Sequence, residues 1–239
     1  MQRRSCFALT GLMISLALAM AGPALATTVT FQDGTFTNAQ WTTTVEVLNG
    51  GGSVNAFQVA SGGNPTAFRR IENTLNSAIG TGVSNTVYGF HRFAGGVYDP
   101  ATGGPILAIN YAEDSQRISG GVQACGLAVR QSGVIYYGPA FLTPTAFSTW
   151  ATTTQSALVA GQFDALAPGV QNPDFSVAGA PLEFGFWRGN STSVGGGGGT
   201  TYGGIDNWRV DLTVDAAVAA ETTTWGEVKA LFRAGVVAR

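Results

Sequence analysis

The sequence has few of the residues on which metal binding and nucleophilic catalysis depend, with one His and two Cys in 239 residues. It therefore offers few ligands for a transition metal and at most one histidine-based catalytic arrangement. Charged residues are also scarce, at 11% of the chain, with 12 Lys+Arg against 14 Asp+Glu. This balance excludes nucleic-acid binding through a cationic patch. The hydrophobic fraction of 45% is ample for a packed core.

The first 26 residues have the pattern of a secretory signal peptide. Arg3-Arg4 precede an apolar run over 7–21, and Ala24-Leu25-Ala26 supplies the small residues of a cleavage site. A membrane anchor is disfavoured because this run is shorter than the roughly 20 residues that span a bilayer. We expect cleavage after Ala26 and a secreted protein, whether extracellular, periplasmic or at the cell surface.

Export would leave Cys125 as the single cysteine, since Cys6 lies within the predicted signal peptide. One cysteine cannot form an intramolecular disulfide. Cys125 alternates with Leu127 and Val129, which favours a buried apolar role in a strand. A nucleophilic thiol would need a partly exposed, electropositive setting, which the neighbouring sequence lacks.

Short β-branched stretches separated by Gly, Asn and Pro recur over 27–214 and predict many short strands. Two hairpins are predicted, one joining 43–48 to 54–59 and one joining 122–130 to 134–137. Helical periodicity is weak except at 154–167 and at the C terminus. We expect an all-β domain, a two-sheet antiparallel jelly-roll sandwich, over 27–214.

The last 25 residues, 215–239, form a predicted linker and amphipathic tail. Thr224 and Glu227 have the spacing of a capping box. One helical face would carry the apolar residues Trp225, Val228, Leu231 and Phe232. The pattern predicts a short C-terminal helix, and Trp225–Arg233 is a candidate for docking to a surface or a sorting partner.

Alternation along the predicted strands points to outward-facing side chains. Over 182–187, Leu182 and the two Phe residues are expected to face the core, with Glu183 and Trp187 on the other face. Over 134–137, one of the two Tyr residues must point outward. Exposed aromatic rings stack on sugars, while carboxylates and Arg bind the hydroxyl groups.

The candidate glycan-binding residues are therefore Trp187, Glu183, Tyr136 and Tyr137. The alternative is that these rings only cover the sandwich beneath a loop.

Two short motifs resemble secreted jelly-roll carbohydrate-binding modules. Phe31-Gln32-Asp33-Gly34, followed by Trp41, is similar to their first strand, and Gly204-Ile205-Asp206-Asn207-Trp208 is similar to the start of their last strand. The segment 173–187 also resembles uncharacterised secreted bacterial proteins with concanavalin A-like or laminin-G-like sandwiches. The resemblance implies a jelly-roll fold and a polysaccharide or cell-surface glycan as partner.

Those modules hold a structural calcium ion with oxygen ligands from the first and last strands, which makes Asp206 and Asp33 candidate ligands here. Strand parity predicts that Asp206 shares the face of Trp208, where a buried carboxylate needs N–H donors, an Arg or a cation. Gln32 stands where the modules usually have an acid. The alternative is that Asp206 only caps the turn amides between Gly203 and Asn207. Both remain open.

Local catalytic motifs are missing, which leans against an enzyme. Sandwich glycosidases commonly carry Glu-x-Asp-x-x-Glu on one strand, a spacing absent here, and Glu113-Asp114 would project to opposite faces. His91 lies in the aromatic segment 88–93, which favours a structural role. Three functions remain, in this order: a non-catalytic glycan-binding or adhesin-like protein, a structural or interaction protein of the envelope or matrix without a small-molecule site, and a glycoside-active enzyme.

Overall fold

The computed structural model describes residues 26–80 and 82–215, which form two antiparallel β-sheets. The strands are β1 (Ala26–Asp33), β2 (Trp41–Leu48), β3 (Gly52–Val59), β4 (Phe68–Leu75), β5 (Thr86–Tyr98), β6 (Ile106–Ser119), β7 (Ala124–Gln131), β8 (Val134–Tyr137), β9 (Phe141–Leu142), β10 (Ala151–Leu158), β11 (Asp164–Ala165), β12 (Leu182–Ser191) and β13 (Gly199–Asp215). The connections contain a short α-helix, α1 (Pro100–Gly103), and 3-10 turns at Asn38–Gln40 and Ala160–Gln162. The chain is therefore an all-β, two-sheet jelly-roll sandwich, as predicted.

Each sheet is named here by its strand order. Sheet A has the order β10-β6-β13-β4-β3, with β1 also paired to β13. Sheet B has the order β11-β8-β7-β12-β5-β2, with β9 also paired to β7. Because β13 has 17 residues, its first half pairs with β4 and its second half with β1.

The main core lies between the sheets and is built from alternate side chains. In β12, Leu182, Phe184 and Phe186 are fully buried in this core. Trp187 belongs to a separate cluster on the outer face of sheet B, which confirms the predicted alternation. Trp41 is central to the core, with its ring centroid 5.1 to 5.3 Å from four aromatic neighbours, Phe36, Phe93, Phe186 and Trp208.

The predicted hairpin between 43–48 and 54–59 is wrong. Strand β2 pairs with β5 in sheet B, whereas β3 pairs with β4 in sheet A, so the intervening Gly-rich segment crosses from one sheet to the other. Asn49 and Gly51 adopt left-handed backbone angles there, with φ of 61° and 91°. Such residues specify a local turn, but the partner of each strand is set by distant segments.

The second predicted hairpin is confirmed. Strands β7 and β8 pair from Gln131↔Val134 onward, and the two turn residues, Ser132 and Gly133, both have positive φ. This two-residue turn matches the right-handed twist of the flanking strands. The segment 154–167 is not helical, since it contains the end of β10, one 3-10 turn and β11.

A polar network lies inside the main core. Arg188 and Glu113 form a fully buried ion pair with N–O distances of 2.7 and 3.1 Å, and Tyr111 donates its hydroxyl to Glu113. Cys125 is buried nearby, and burial raises the pKa of its thiol to about 12. Cys125 is therefore a protonated, apolar core residue, as predicted.

The predicted signal peptide and the predicted C-terminal helix, with its docking segment Trp225–Arg233, lie outside the described residues. Among the residues described, no helix is both long and apolar enough to cross a bilayer.

Candidate functional site

The outer face of sheet B is concave. Tyr137 on β8 donates its hydroxyl to the carboxylate of Glu46 on β2, although β7, β12 and β5 lie between these strands. Neighbouring strands are about 4.8 Å apart, so a flat sheet would separate β8 from β2 by about 19 Å. Two side chains cannot span that distance. Sheet B must therefore curl, and we call the Tyr137–Glu46 hydrogen bond the bridge.

Aromatic rings fill the concavity beneath the bridge. The ring centroid of Tyr137 lies 5.2 Å from that of Tyr88 and 5.7 Å from that of Trp187. Phe90 and Ile135 are buried in the same cluster. Trp187 is only 5% exposed, so most of its ring is covered by protein.

A pocket of about 350 Å³ opens beside this cluster. Its floor consists of two small residues, Gly189 and Ala124, which are directly paired between β12 and β7. Its walls are Leu142, paired with Ala124, and Tyr88, paired with Gly189. Trp187 also lines the pocket, one paired position further along the sheet. The result is a slot with two small residues between two large ones.

Polar groups complete the lining of this slot. Thr86 and Ser191 hold their hydroxyl oxygens 2.8 Å apart. The indole Nε1 of Trp187 is buried and has no hydrogen-bond partner among the described residues. Burial raises the pKa of Tyr88, so its hydroxyl stays protonated. The pocket thus combines apolar walls with hydroxyl groups and an unpaired N–H donor.

Glu183 lies on the same outer face as Trp187 but outside the pocket lining. Its two carboxylate oxygens accept hydrogen bonds from Arg130 and Arg92. The hydrogen bond from Arg130, followed by that from Arg92, lowers the pKa of Glu183, while partial burial opposes this shift. Both oxygens are therefore engaged by protein donors.

The two candidate tyrosines are separated by the sheet. Tyr136 faces the main core between the sheets, and Tyr137 faces the concave side, where it forms the bridge. The sequence reasoning missed Tyr88, Gly189 and Leu142. Alternation along 88–93 could have placed Tyr88 on an outer face, but the pairing that brings Gly189 beside it is not readable from one strand.

Asp206 does not share the face of Trp208, which corrects the parity prediction. A β-bulge shifts the register between Asp206 and Arg209, and Asn207 has a left-handed φ of 48°. Ile205 and Trp208 both point into the core, so the bulge leaves the Asp206 side chain on the outer side of sheet A. Its carboxylate accepts hydrogen bonds from the backbone N–H groups of Asn64, at 2.6 Å, and Asn207, at 2.7 Å.

Asp33 is likewise occupied by donors from the protein. It accepts hydrogen bonds from the backbone N–H groups of Thr35 and Phe36 and from the indole N–H of Trp41. Within 26–80 and 82–215, no group of three or more His, Cys, Asp or Glu residues could hold a metal ion. Burial also raises the pKa of Asp206, which disfavours its charged form.

These residues do not fit a calcium ion, which needs six to eight oxygen ligands with free lone pairs. The donors around Asp206 match the turn-capping alternative.

His91 has the structural role that its aromatic segment predicts. It is fully buried, stacks on Phe186 with centroids 4.5 Å apart, and shares a hydrogen bond between Nδ1 and the Thr43 hydroxyl. Burial, together with the charges of Arg69 and Arg188, holds the pKa of His91 well below its usual range. The ring is therefore a neutral core group.

No family model matches this chain, and no curated protein matches it by sequence. Among solved structures, the chain is similar to a family 11 carbohydrate-binding module from Clostridium thermocellum in complex with a β-1,3-1,4-mixed-linked tetrasaccharide. That match has 10% identity and a TM-score of 0.44, and covers 78% of this chain and 96% of the module.

Two further structures are similar at about the same level. One is the CBM22-1 xylan-binding domain of Paenibacillus barcinonensis Xyn10C, with 10% identity, a TM-score of 0.39, and coverage of 79% of this chain and 95% of the domain. The other is an exo-beta-agarase, with 11% identity, a TM-score of 0.39, and coverage of 78% of this chain and 26% of that enzyme. None of these similarities assigns a ligand to this chain.

Proposed function

We propose that this protein is a secreted, non-catalytic glycan-binding protein and that a sugar ring binds in the slot between Tyr88 and Leu142. The observation that carries this proposal is the row of paired residues across the concave face, in which Gly189 and Ala124 leave a gap between two large side chains. Pyranose rings are flat, with apolar C–H faces and polar edges. A slot with an aromatic wall and hydroxyl groups in its lining suits that shape.

The lining of the pocket favours an uncharged ligand. Its ten residues are Thr86, Tyr88, Val122, Ala124, Ala140, Leu142, Trp187, Gly189, Asn190 and Ser191. None of these side chains is ionised at neutral pH. A neutral, polyhydroxylated ring can use the Thr86 and Ser191 hydroxyls and the free indole N–H of Trp187 without burying an unpaired charge.

The positions of the nearby carboxylates favour binding over hydrolysis. Glycoside hydrolysis needs two carboxyl groups on opposite sides of the scissile bond. On this face, Glu46 accepts the Tyr137 hydroxyl and Glu183 accepts two Arg side chains, and neither lines the pocket. The pocket can hold a sugar but supplies no acid–base pair to cleave it.

Affinity electrophoresis through gels that contain single neutral polysaccharides tests the proposal. Gly189→Ala adds a Cβ that would lie 3.1 Å from Trp187 and 3.2 Å from Tyr88, which fills the slot. Gly161→Ala is the matched control, because a Cβ there meets nothing within 4 Å. We expect at least one polysaccharide to retard the wild type and Gly161→Ala, with retardation by Gly189→Ala weakened about tenfold or more. Equal retardation of all three, or none in any gel, would overturn the proposal.

The second candidate function is that of a structural or interaction protein, and one observation favours it. The edge strand β2 exposes Val45, Val47 and Leu48 at 36% to 41% of their surface. An unpaired edge with apolar side chains can add a strand from another chain. Light scattering after size-exclusion chromatography distinguishes the two functions, since a protein that acts through this edge should self-associate or capture a partner strand.

A further inference from the structure

The outer face of sheet A carries a second groove, of about 460 Å³, on the opposite side of the sandwich from the glycan pocket. Gly204 lies at its centre, directly paired with Arg70 on β4 and with Gln116 on β6. A Cβ at Gly204 would lie 3.0 Å from both Gln116 and Trp150. The missing side chain therefore lets Gln116 and Trp150 lie against the sheet and line the groove.

One wall of the groove is a fixed aromatic ring. Trp150 packs edge-on against Phe68 with centroids 5.5 Å apart, and its indole N–H donates to the carbonyl of Gly62 at 3.1 Å. Trp150 is nevertheless only half-buried. Its ring is held in one orientation before any ligand arrives, which reduces the entropy lost on binding.

The groove also holds polar groups that have no protein partner. Gln116 is 6% exposed and lines the groove, and none of the hydrogen bonds among the described residues uses its side-chain amide. A largely buried amide without a partner is unfavourable, and water or a ligand hydroxyl would satisfy it.

Arg70 adds a second set of donors. Its guanidinium lies 4.7 Å from the Tyr202 ring, and its Nε lies 3.1 Å from Glu72. The planar guanidinium keeps further N–H groups beyond Nε, and these can donate to a ligand. Because Glu72 already balances the charge of Arg70, the groove favours an uncharged ligand.

We infer that this groove is a second glycan-binding site, which takes an uncharged sugar residue against Trp150 and bonds its hydroxyls through Gln116 and Arg70. The inference rests on the proposed function for the class of ligand but on a separate set of residues. With sites on the two opposite outer faces, one molecule holds two glycan chains at once. The protein then acts as a cross-linker of polysaccharide.

The test combines calorimetric stoichiometry with bridging of polysaccharide-coated beads. Gln116→Leu removes the unpartnered amide but keeps its bulk, and Trp150→Ala removes the ring. Gly189→Ala blocks the pocket on sheet B. Phe147→Ala is the control, because Phe147 is an exposed aromatic residue outside the groove lining.

The wild type and Phe147→Ala should bind two sugars per molecule and clump the beads. Gln116→Leu, Trp150→Ala and Gly189→Ala should each bind one sugar and fail to clump them. If Gln116→Leu and Trp150→Ala still bind two sugars and clump beads, the inference is wrong, whatever Gly189→Ala does. If Gly189→Ala keeps two sites while the groove variants lose one, the pocket on sheet B is wrong and the groove stands. A wild type that binds no sugar overturns both.

Discussion

The hydroxyl of Tyr137 donates a hydrogen bond to the carboxylate of Glu46 across three intervening strands of sheet B. Burial, and then this hydrogen bond, raise the pKa of Tyr137, so it remains a donor at every physiological pH. The bridge ties β8 near one edge of the sheet to β2 at the other. It therefore helps to hold the curvature on which the neighbouring pocket depends.

Tyr137→Phe should lower the free energy of unfolding by about 1–2 kcal/mol, because it removes a hydrogen bond to a charged acceptor and keeps the ring. Tyr202→Phe is the control, since the Tyr202 ring stacks under Arg70 and its hydroxyl is used by none of the hydrogen bonds among the described residues. Urea denaturation measures both variants. Equal stabilities of Tyr137→Phe and the wild type would show that the bridge contributes nothing to folding.

Glu113→Gln should be strongly destabilising. It leaves the Arg188 guanidinium charged and uncompensated inside the core, which typically costs about 3–5 kcal/mol. Asp211→Asn breaks an ion pair with the half-exposed Arg209 and should have a far smaller effect, since water screens that pair. Denaturation curves for the two variants give the comparison. A Glu113→Gln protein as stable as Asp211→Asn would refute the buried charge network.

Stability should fall as the pH drops below 6.5, with a slope that comes from His91. In the folded state its pKa lies well below the model value of 6.5, so the neutral form is favoured. The unfolded chain takes up a proton near pH 6.5 and the folded chain does not, so stability present above this pH is lost below it. The slope is about 1.4 kcal/mol per pH unit for one proton.

The slope should be visible between pH 6.5 and about 5.5. Glu113 and Asp206 have raised pKa values, which act in the opposite direction and nearer to their model values of 4.5 and 3.8. Because the sequence has one His, His91→Gln should give a flat profile in this window. A slope that persists in His91→Gln would assign the effect to another group.

Features that depend on one strand were predictable from the sequence. The burial of Phe184 and Phe186 on one face of β12, with Trp187 on the other, follows from a period of two. The β7–β8 hairpin follows from a two-residue turn between adjacent strands. In both cases the residues that decide the structure are neighbours in the chain.

Features that depend on distant segments were not predictable. The partners of β2 and β3 lie about 20 to 40 residues away and in different sheets, so a Gly-rich connection looked like a hairpin. The bulge at Asp206 reverses the parity of a strand that otherwise alternates regularly. The pocket itself arises where Gly189 meets Ala124 and Tyr88, three positions that only the sheet order brings together.

The predicted export signal can be tested on the secreted protein. Cleavage after Ala26 should give Thr27 as the first residue by intact-mass and N-terminal analysis. Strand β1 begins at Ala26, so the mature chain would keep the rest of this strand, from Thr27 to Asp33. A secreted product that retains residues 1–26 would contradict the predicted cleavage.

The most direct test of glycan binding at the concave face is the nitrogen–proton NMR spectrum of the tryptophan indoles during titration with a retained polysaccharide fragment. The indole N–H of Trp187 has no protein partner among the described residues, whereas that of Trp41 donates to Asp33 inside the core. Assignment by Trp187→Phe identifies the signal. We expect the Trp187 resonance to shift on saturation while that of Trp41 stays in place. A fragment that binds without moving the Trp187 resonance would contradict the pocket as the site of binding.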